Sequence, residues 1–274
     1  MPNLFPLIIV IVGLVTLYFL YKFLFTSNVQ SQVVLSGIKK ADMDTPITVT
    51  SATLPALTEG GEYTVGFWMY VNNWGYQANY NKHVLSIGSP GDGSTGFHTL
   101  LVYLGQQINS LKIRVHATDS TVMTAGTTAT DTTITGTVFN NTFTGTGVQG
   151  GLLESSHPLC DLPQIDLQRW VYVAVVLNGK TVDVYLDGKL ARSCILPTFY
   201  RVPAAGYSMR ICDRKGFGGY MGGVTTYGYA QSPDEIWKQY MAGPKGTVSF
   251  GDYLKSFFDP SSPLNTGIPG PELK

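Results

Sequence analysis

The stretch from Trp170 to Cys194 constrains the fold most. Trp170 to Leu177 is apolar on both faces, Asn178-Gly179 follows, then Thr181 to Leu186, Asp187-Gly188 and Lys189 to Cys194. Asn-Gly and Asp-Gly tolerate the positive φ that tight primed turns require, so the stretch predicts a three-stranded antiparallel meander. More strand signals lie upstream: Tyr63 to Val71, Val84 to Ile87, Phe97 to Leu104 and Leu111 to His116. In the last of these Leu111, Ile113 and Val115 alternate with Lys112, Arg114 and His116. That pattern predicts a half-buried strand with His116 on a solvated face. Gly88 to Gly96 is a glycine-rich turn, not a phosphate loop, because no Lys follows the glycines. Two further strands fit Tyr207 to Cys212 and Tyr220 to Tyr229. One helix is expected after them, with Ser232 as N-cap, Pro233 at N1, Glu235 closing a capping box and Gly243-Pro244 as the stop.

The whole chain has 274 residues, equal numbers of acids and bases at 18 each, and 13% charged residues. That length suits one large all-β domain with additions. Neutral charge with scattered cations excludes a nucleic-acid binder, which needs a basic excess to meet phosphate. Disorder is excluded by a hydrophobic fraction of 44% with 16 Tyr and 13 Phe.

No charge interrupts Leu4 to Tyr21. Leu4, Leu7, Ile8, Ile9, Val10, Ile11, Val12, Leu14, Val15, Leu17, Tyr18, Leu20 and Tyr21 are the lipid-facing residues of a predicted single transmembrane helix, about 27 Å long at 1.5 Å per residue. A cleaved signal peptide fits less well, for lack of a basic start and a small-residue cleavage site. Lys22, Lys39 and Lys40 follow the run, so the expected body is cytoplasmic, or faces the capsid in a virion. Residues 1–25 are read as anchor, 26–44 as stalk, 45–245 as the folded domain with a Thr/Gly-rich insertion at 118–162, and 246–274 as an extended tail. Cys160, Cys194 and Cys212 are odd in number, which fits buried thiols in a reducing compartment. His83, His98, His116 and His157 complete no zinc pattern.

Tyr63-Thr64-Val65-Gly66-Phe67-Trp68-Met69-Tyr70-Val71, Arg169 to Val176 with Val184-Tyr185-Leu186-Asp187-Gly188-Lys189, and Tyr227 to Tyr240 come in an order that resembles the concanavalin A-like lectin/glucanase superfamily, its laminin-G-like branch in particular. The resemblance spans residues 45 to 245 and implies a jelly-roll sandwich of two antiparallel sheets with one short C-terminal helix. That fold hosts lectins, hydrolases and adhesion modules alike. Departures from the glucanases argue against an enzyme. A glycosidase needs two facing carboxylates, yet the one close acid pair, Asp234 with Glu235, sits where a helix N-terminus needs capping. Asp42, Asp44 and Asp92 are too isolated for a calcium site, and no cofactor is implied. Trp74, Tyr76 and Tyr80, in the Asn-rich loop Asn72 to Asn81, form either a carbohydrate platform or a hydrophobic plug under the end of the sandwich.

Two segments resist the β reading. Residues 118–146 hold thirteen threonines and two charges, Asp119 and Asp131, and are either a hairpin or a long loop. The Pro/Gly-rich tail buries little by itself. Both are expected to dock onto a partner, with Phe139, Phe143, Phe257 and Phe258 as anchors. The expected function is therefore a non-enzymatic, membrane-anchored structural protein. Its way of life is similar to that of minor capsid proteins linking the internal membrane of a large icosahedral DNA virus to the shell, with the bilayer and capsid proteins as partners. A membrane-anchored lectin is the alternative, and a glycan hydrolase a third reading.

Overall fold

The computed structural model describes residues 12–17, 31–117, 134–144 and 160–244. Eleven strands occur among them: β1 (Ser31–Lys40), β2 (Ile47–Thr50), β3 (Glu62–Asn73), β4 (Lys82–Gly88), β5 (His98–Leu104), β6 (Leu111–Val115), β7 (Trp170–Asn178), β8 (Thr181–Leu186), β9 (Lys189–Ile195), β10 (Ser208–Ile211) and β11 (Gly218–Tyr227). Two helices join them, α1 (Gly136–Thr144) and α2 (Pro233–Ala242). The strands build two antiparallel sheets, one of six in the order β1-β11-β3-β7-β8-β9 and one of five in the order β2-β10-β4-β5-β6. The protein is a jelly-roll-like all-β sandwich.

Alternation explains the layering. Tyr63, Val65, Phe67, Met69 and Val71 of β3 face Leu85, Ile87, Leu100, Val102 and Leu104 of the opposite sheet in one core. The residues between them turn outward. On the six-stranded sheet Trp68, Trp170, Tyr172, Ala174, Val176 and Tyr185 form a second cluster with Ile236 of α2. On the five-stranded sheet Leu101 and Tyr103 pack with Ile134, Phe139 and Phe143, the last two from α1. Central strands thus read as unbroken apolar runs because a helix covers the far side of each sheet.

The meander forms as expected, with one refinement. Asp187 and Gly188 both have positive φ, 50° and 77°, and sit between the paired Leu186 and Lys189. At the other turn Asn178 pairs with Thr181, so Gly179 (φ 60°) and Lys180 are the central residues. Only the first of that pair is left-handed, as a Gly-first turn requires. At Gly188 a Cβ would also lie 2.7 Å from the Trp237 ring, so glycine lets α2 settle on the turn.

Four expectations need correction. Residues 31–40, assigned to a stalk, form the edge strand β1, which pairs with β11 from Ser31↔Tyr227 to Lys40↔Tyr220. The polar face of β6 is not solvated. Leu162 bridges Leu111, and this brings Asp161 onto Arg114 and, at 3.3 Å, onto Lys112. His116 is buried, stacked 4.5 Å from Phe97, with Nδ1 accepting the Ile134 N–H. Finally, the thiols are not all unpaired: Cys160 and Cys194 form a disulfide, and Cys212 is free and buried. That bond joins the segment beside β6 to β9, the edges of the two sheets on one side of the sandwich.

The transmembrane expectation falls mostly on residues outside the described set, among them Leu4, Leu7, Ile8, Ile9, Val10, Ile11, Tyr18, Leu20 and Tyr21. Val12, Leu14, Val15 and Leu17 lie in a helical stretch, residues 12–17, and are exposed. Among the described residues no helix is long and apolar enough to cross a membrane. The tail, with Phe257 and Phe258, is also outside the described set.

Candidate functional site

The β3–β4 loop and the β5–β6 turn meet at one end of the sandwich, and Lys82 is what fastens them. Its side chain is fully buried at the start of β4. Nζ donates to the carbonyls of Tyr80, Gly105 and Gln106, each at 3.4 Å, and lies 4.3 Å from the centre of the Trp74 ring. Three carbonyls match the three donors of an ammonium, and the indole face adds a cation–π contact. Burial pulls the Lys82 pKa down to about 8.

Around that clasp the loop presents aromatic and amide groups. Trp74 is half-buried and packs against the main core. Tyr76 and Tyr80 are half-buried, with Asn72, Asn73 and Asn79 exposed beside them. Neighbours fix the loop in place: Gln77 Nε2 donates to the Arg214 carbonyl at 3.2 Å and Asn81 Nδ2 to that of Thr142 at 3.1 Å. Two tyrosine rings beside amide groups are suited to stacking on, and hydrogen bonding with, a polyhydroxylated ring. The loop composition marked Trp74, Tyr76 and Tyr80 in the sequence. It gave no sign of Lys82, whose role depends on a turn more than twenty residues away.

The acids take structural roles. Ser232 and Glu235 close the capping box of α2, and Asp234 pairs with Lys238 at 2.6 Å. Arg169 bridges Asp166 and Asp187, each at 2.5 Å. Asp92 folds back onto the Ser94 N–H at 2.8 Å within its turn. Among the described residues no group of three or more His, Cys, Asp or Glu could hold a metal ion.

Phe139 and Phe143, expected to anchor a partner, instead anchor their own helix. They are 0% and 4% exposed, 5.1 Å apart edge to face, and press on Tyr103, His83 and His98. His83 and His98 are fifteen positions apart in sequence, stand opposite Tyr103 and Gly88 in the β4–β5 pairing, and converge only on the Phe139 ring. A search for short metal or catalytic motifs does not find them.

A laminin G family model, described as the concanavalin A-like lectin/glucanases superfamily, matches residues 140–237. No curated protein matches the chain in sequence. Solved structures similar in fold include the sialidase CBM40 of Ruminococcus gnavus bound to α2,3-sialyllactose, at 13% identity and TM-score 0.46, covering 76% of this chain and 98% of that one. The botulinum neurotoxin serotype D binding domain follows at 9% identity and TM-score 0.44, covering 77% and 46%. The sialidase of Trypanosoma rangeli is at 11% and 0.41, covering 67% and 23%. The chain spans about half of the toxin binding domain and a smaller part of the trypanosomal enzyme. These likenesses concern the sandwich of strands alone.

Proposed function

We propose that this protein is a non-catalytic carbohydrate-binding module of lectin type, held at a membrane by its apolar N-terminal run. The observation that carries the reading is the sandwich end at which Lys82 fixes an aromatic, amide-rich loop in one pose. A preset loop binds without the entropy of ordering itself. The lectin/glucanases match over residues 140–237 supports the same class. The engagement of Asp234, Glu235, Asp166 and Asp187 in caps and ion pairs supports binding over hydrolysis.

The test is a glycan array probed with the full chain in detergent. Retention of a defined glycan class, lost in Tyr76→Ala or Tyr80→Ala while the fold survives, is the expected result. Those residues are chosen because Trp74→Ala disturbs the core as well. Absence of any retained glycan, or turnover abolished by one Asp or Glu substitution, overturns the proposal.

The docking role between a viral membrane and a capsid shell draws less support, because Phe139 and Phe143 are occupied within the chain. Sidedness belongs to the proposal too. The flanking lysines favour a cytoplasmic or capsid-facing body and the Cys160–Cys194 disulfide an oxidising side. Protease protection in sealed vesicles separates the two.

A further inference from the structure

The outer face of the five-stranded sheet contains four buried polar atoms without a partner: His83 Nε2, Ser86 Oγ, His98 Nδ1 and Arg214 Nε. They form one neighbourhood. His98 stacks 4.1 Å from the centre of the Phe139 ring, His83 meets the same ring edge-on at 5.6 Å, and the Arg214 guanidinium lies over it at 5.6 Å. Ser86 stands opposite Arg210 across the β4–β10 pairing, hence on the same face. Arg210 Nε donates to Asp213 at 2.9 Å, and the Asp213 N–H donates to His83 Nδ1 at 3.0 Å.

These contacts fix both tautomers. His83 Nδ1 accepts, so its proton is on Nε2 and that N–H is an unused donor. His98 Nε2 faces the Gly93 carbonyl at 3.0 Å and must donate to it, so Nδ1 is an unused acceptor. Burial keeps both rings neutral, pulling His83 to about 3 and His98 to about 4. The unused groups are therefore two N–H donors, one hydroxyl and one lone pair. Two guanidiniums face the Asp213 carboxylate, and the exposed Asp92 carboxylate lies outside them. Buried groups of this kind are costly to leave unpaired, and four in one place suit a ligand better than a well-packed core.

We propose that this neighbourhood is a binding site for a small oxyanion that keeps one hydroxyl, a phosphate group in its hydrogen-phosphate form. Its oxygens accept from His83, Ser86 and Arg214, and its P–OH donates to His98 Nδ1. The way in passes Arg214, which is part-exposed and holds Asn140 Oδ1 at 2.5 Å, so opening that contact admits the anion. Asp92, exposed nearby and lowered by its bonds to Ser94, opposes entry by other routes.

The test uses the full chain in detergent, titrated with inorganic phosphate at constant ionic strength. The readouts are the thermal midpoint and the imidazole nitrogen resonances of His83 and His98. A saturable rise in midpoint with both resonances moving together is expected. Sulfate, which has no hydroxyl at neutral pH, binds roughly tenfold or more weakly, and Ser86→Ala and Arg214→Gln each weaken phosphate roughly tenfold. Methyl phosphate keeps a hydroxyl only as its monoanion, below about pH 6: compared with inorganic phosphate at that pH, its binding assigns the site to phosphomonoesters, and its exclusion assigns it to the free anion. No saturable shift, equal binding of sulfate, or an effect unchanged in both variants overturns the proposal.

Discussion

The two sheets turn opposite characters outward, although each outer face lies under a helix. Beneath α2 the six-stranded sheet is aromatic: Trp68 stacks on Tyr240 at 5.6 Å, and the Tyr172 hydroxyl donates to Gln239 at 2.6 Å. Beneath α1 the five-stranded sheet carries histidines, arginines and an aspartate, with four polar atoms unpaired. The first face is packed for stability. On the second, unpaired polar atoms sit beside a packed cluster around Phe139 and Phe143, a local departure from full pairing of the kind that marks functional sites.

Acid should separate the two faces most widely. His83 and His98 have folded pKa values below that of a free imidazole, near 6.5, because burial disfavours the cation. Their stability contribution is complete above pH 6.5 and is lost as pH falls toward 4 and 3, on the order of 3 kcal/mol per ring. Denaturant midpoints at pH 7, 5 and 4 check this, and His83→Gln with His98→Gln should flatten the profile. The aromatic face has the reverse weakness. Burial raises the Tyr172 pKa, so its contribution holds below about pH 10 and fades above it.

Truncation comes next. Phe139→Ala should cost about 4 kcal/mol and loosen α1, since it removes the ring that touches His83, His98 and Phe143. Urea denaturation measures that cost, and a loss below 1 kcal/mol would mean that α1 does not pack as described. Tyr172→Phe should cost about 1 kcal/mol by ending the bond to Gln239. Ser232→Ala, at the exposed cap of α2, should cost about 0.5 kcal/mol, with helix fraying visible in hydrogen exchange.

The same contrast explains what could be read ahead of the structure. α2 carries its own start and stop signals in Ser232, Pro233, Glu235 and Gly243, so its place needed no tertiary knowledge. The strands from β3 to β11 were legible from apolar runs and turn dipeptides. α1 was not, because Thr, Asn and Gly are weak helix formers. Gly136 to Thr144 is helical through Phe139 and Phe143, four residues apart and buried together. β1 escaped for a related reason: an edge strand of mixed polarity gains its order from pairing with β11. Of the candidate sites, the aromatic loop was visible by composition. Lys82, the disulfide and the histidine neighbourhood depend on pairings between distant strands, which carry no local signature.

The pairing of β1 with β11 also sets a timetable for the nascent chain. Ser31 and Tyr227 are partners, yet 196 residues of translation separate them. At about 5–20 residues per second the ribosome needs roughly 10 to 40 s to cover that distance. β3 lacks both of its neighbours until β7 has been made, and its β11 edge stays open to the end of that interval. The domain therefore cannot seal itself while it is being made. Its yield in a cell depends on whatever shields Tyr63 to Val71 until the last strand arrives.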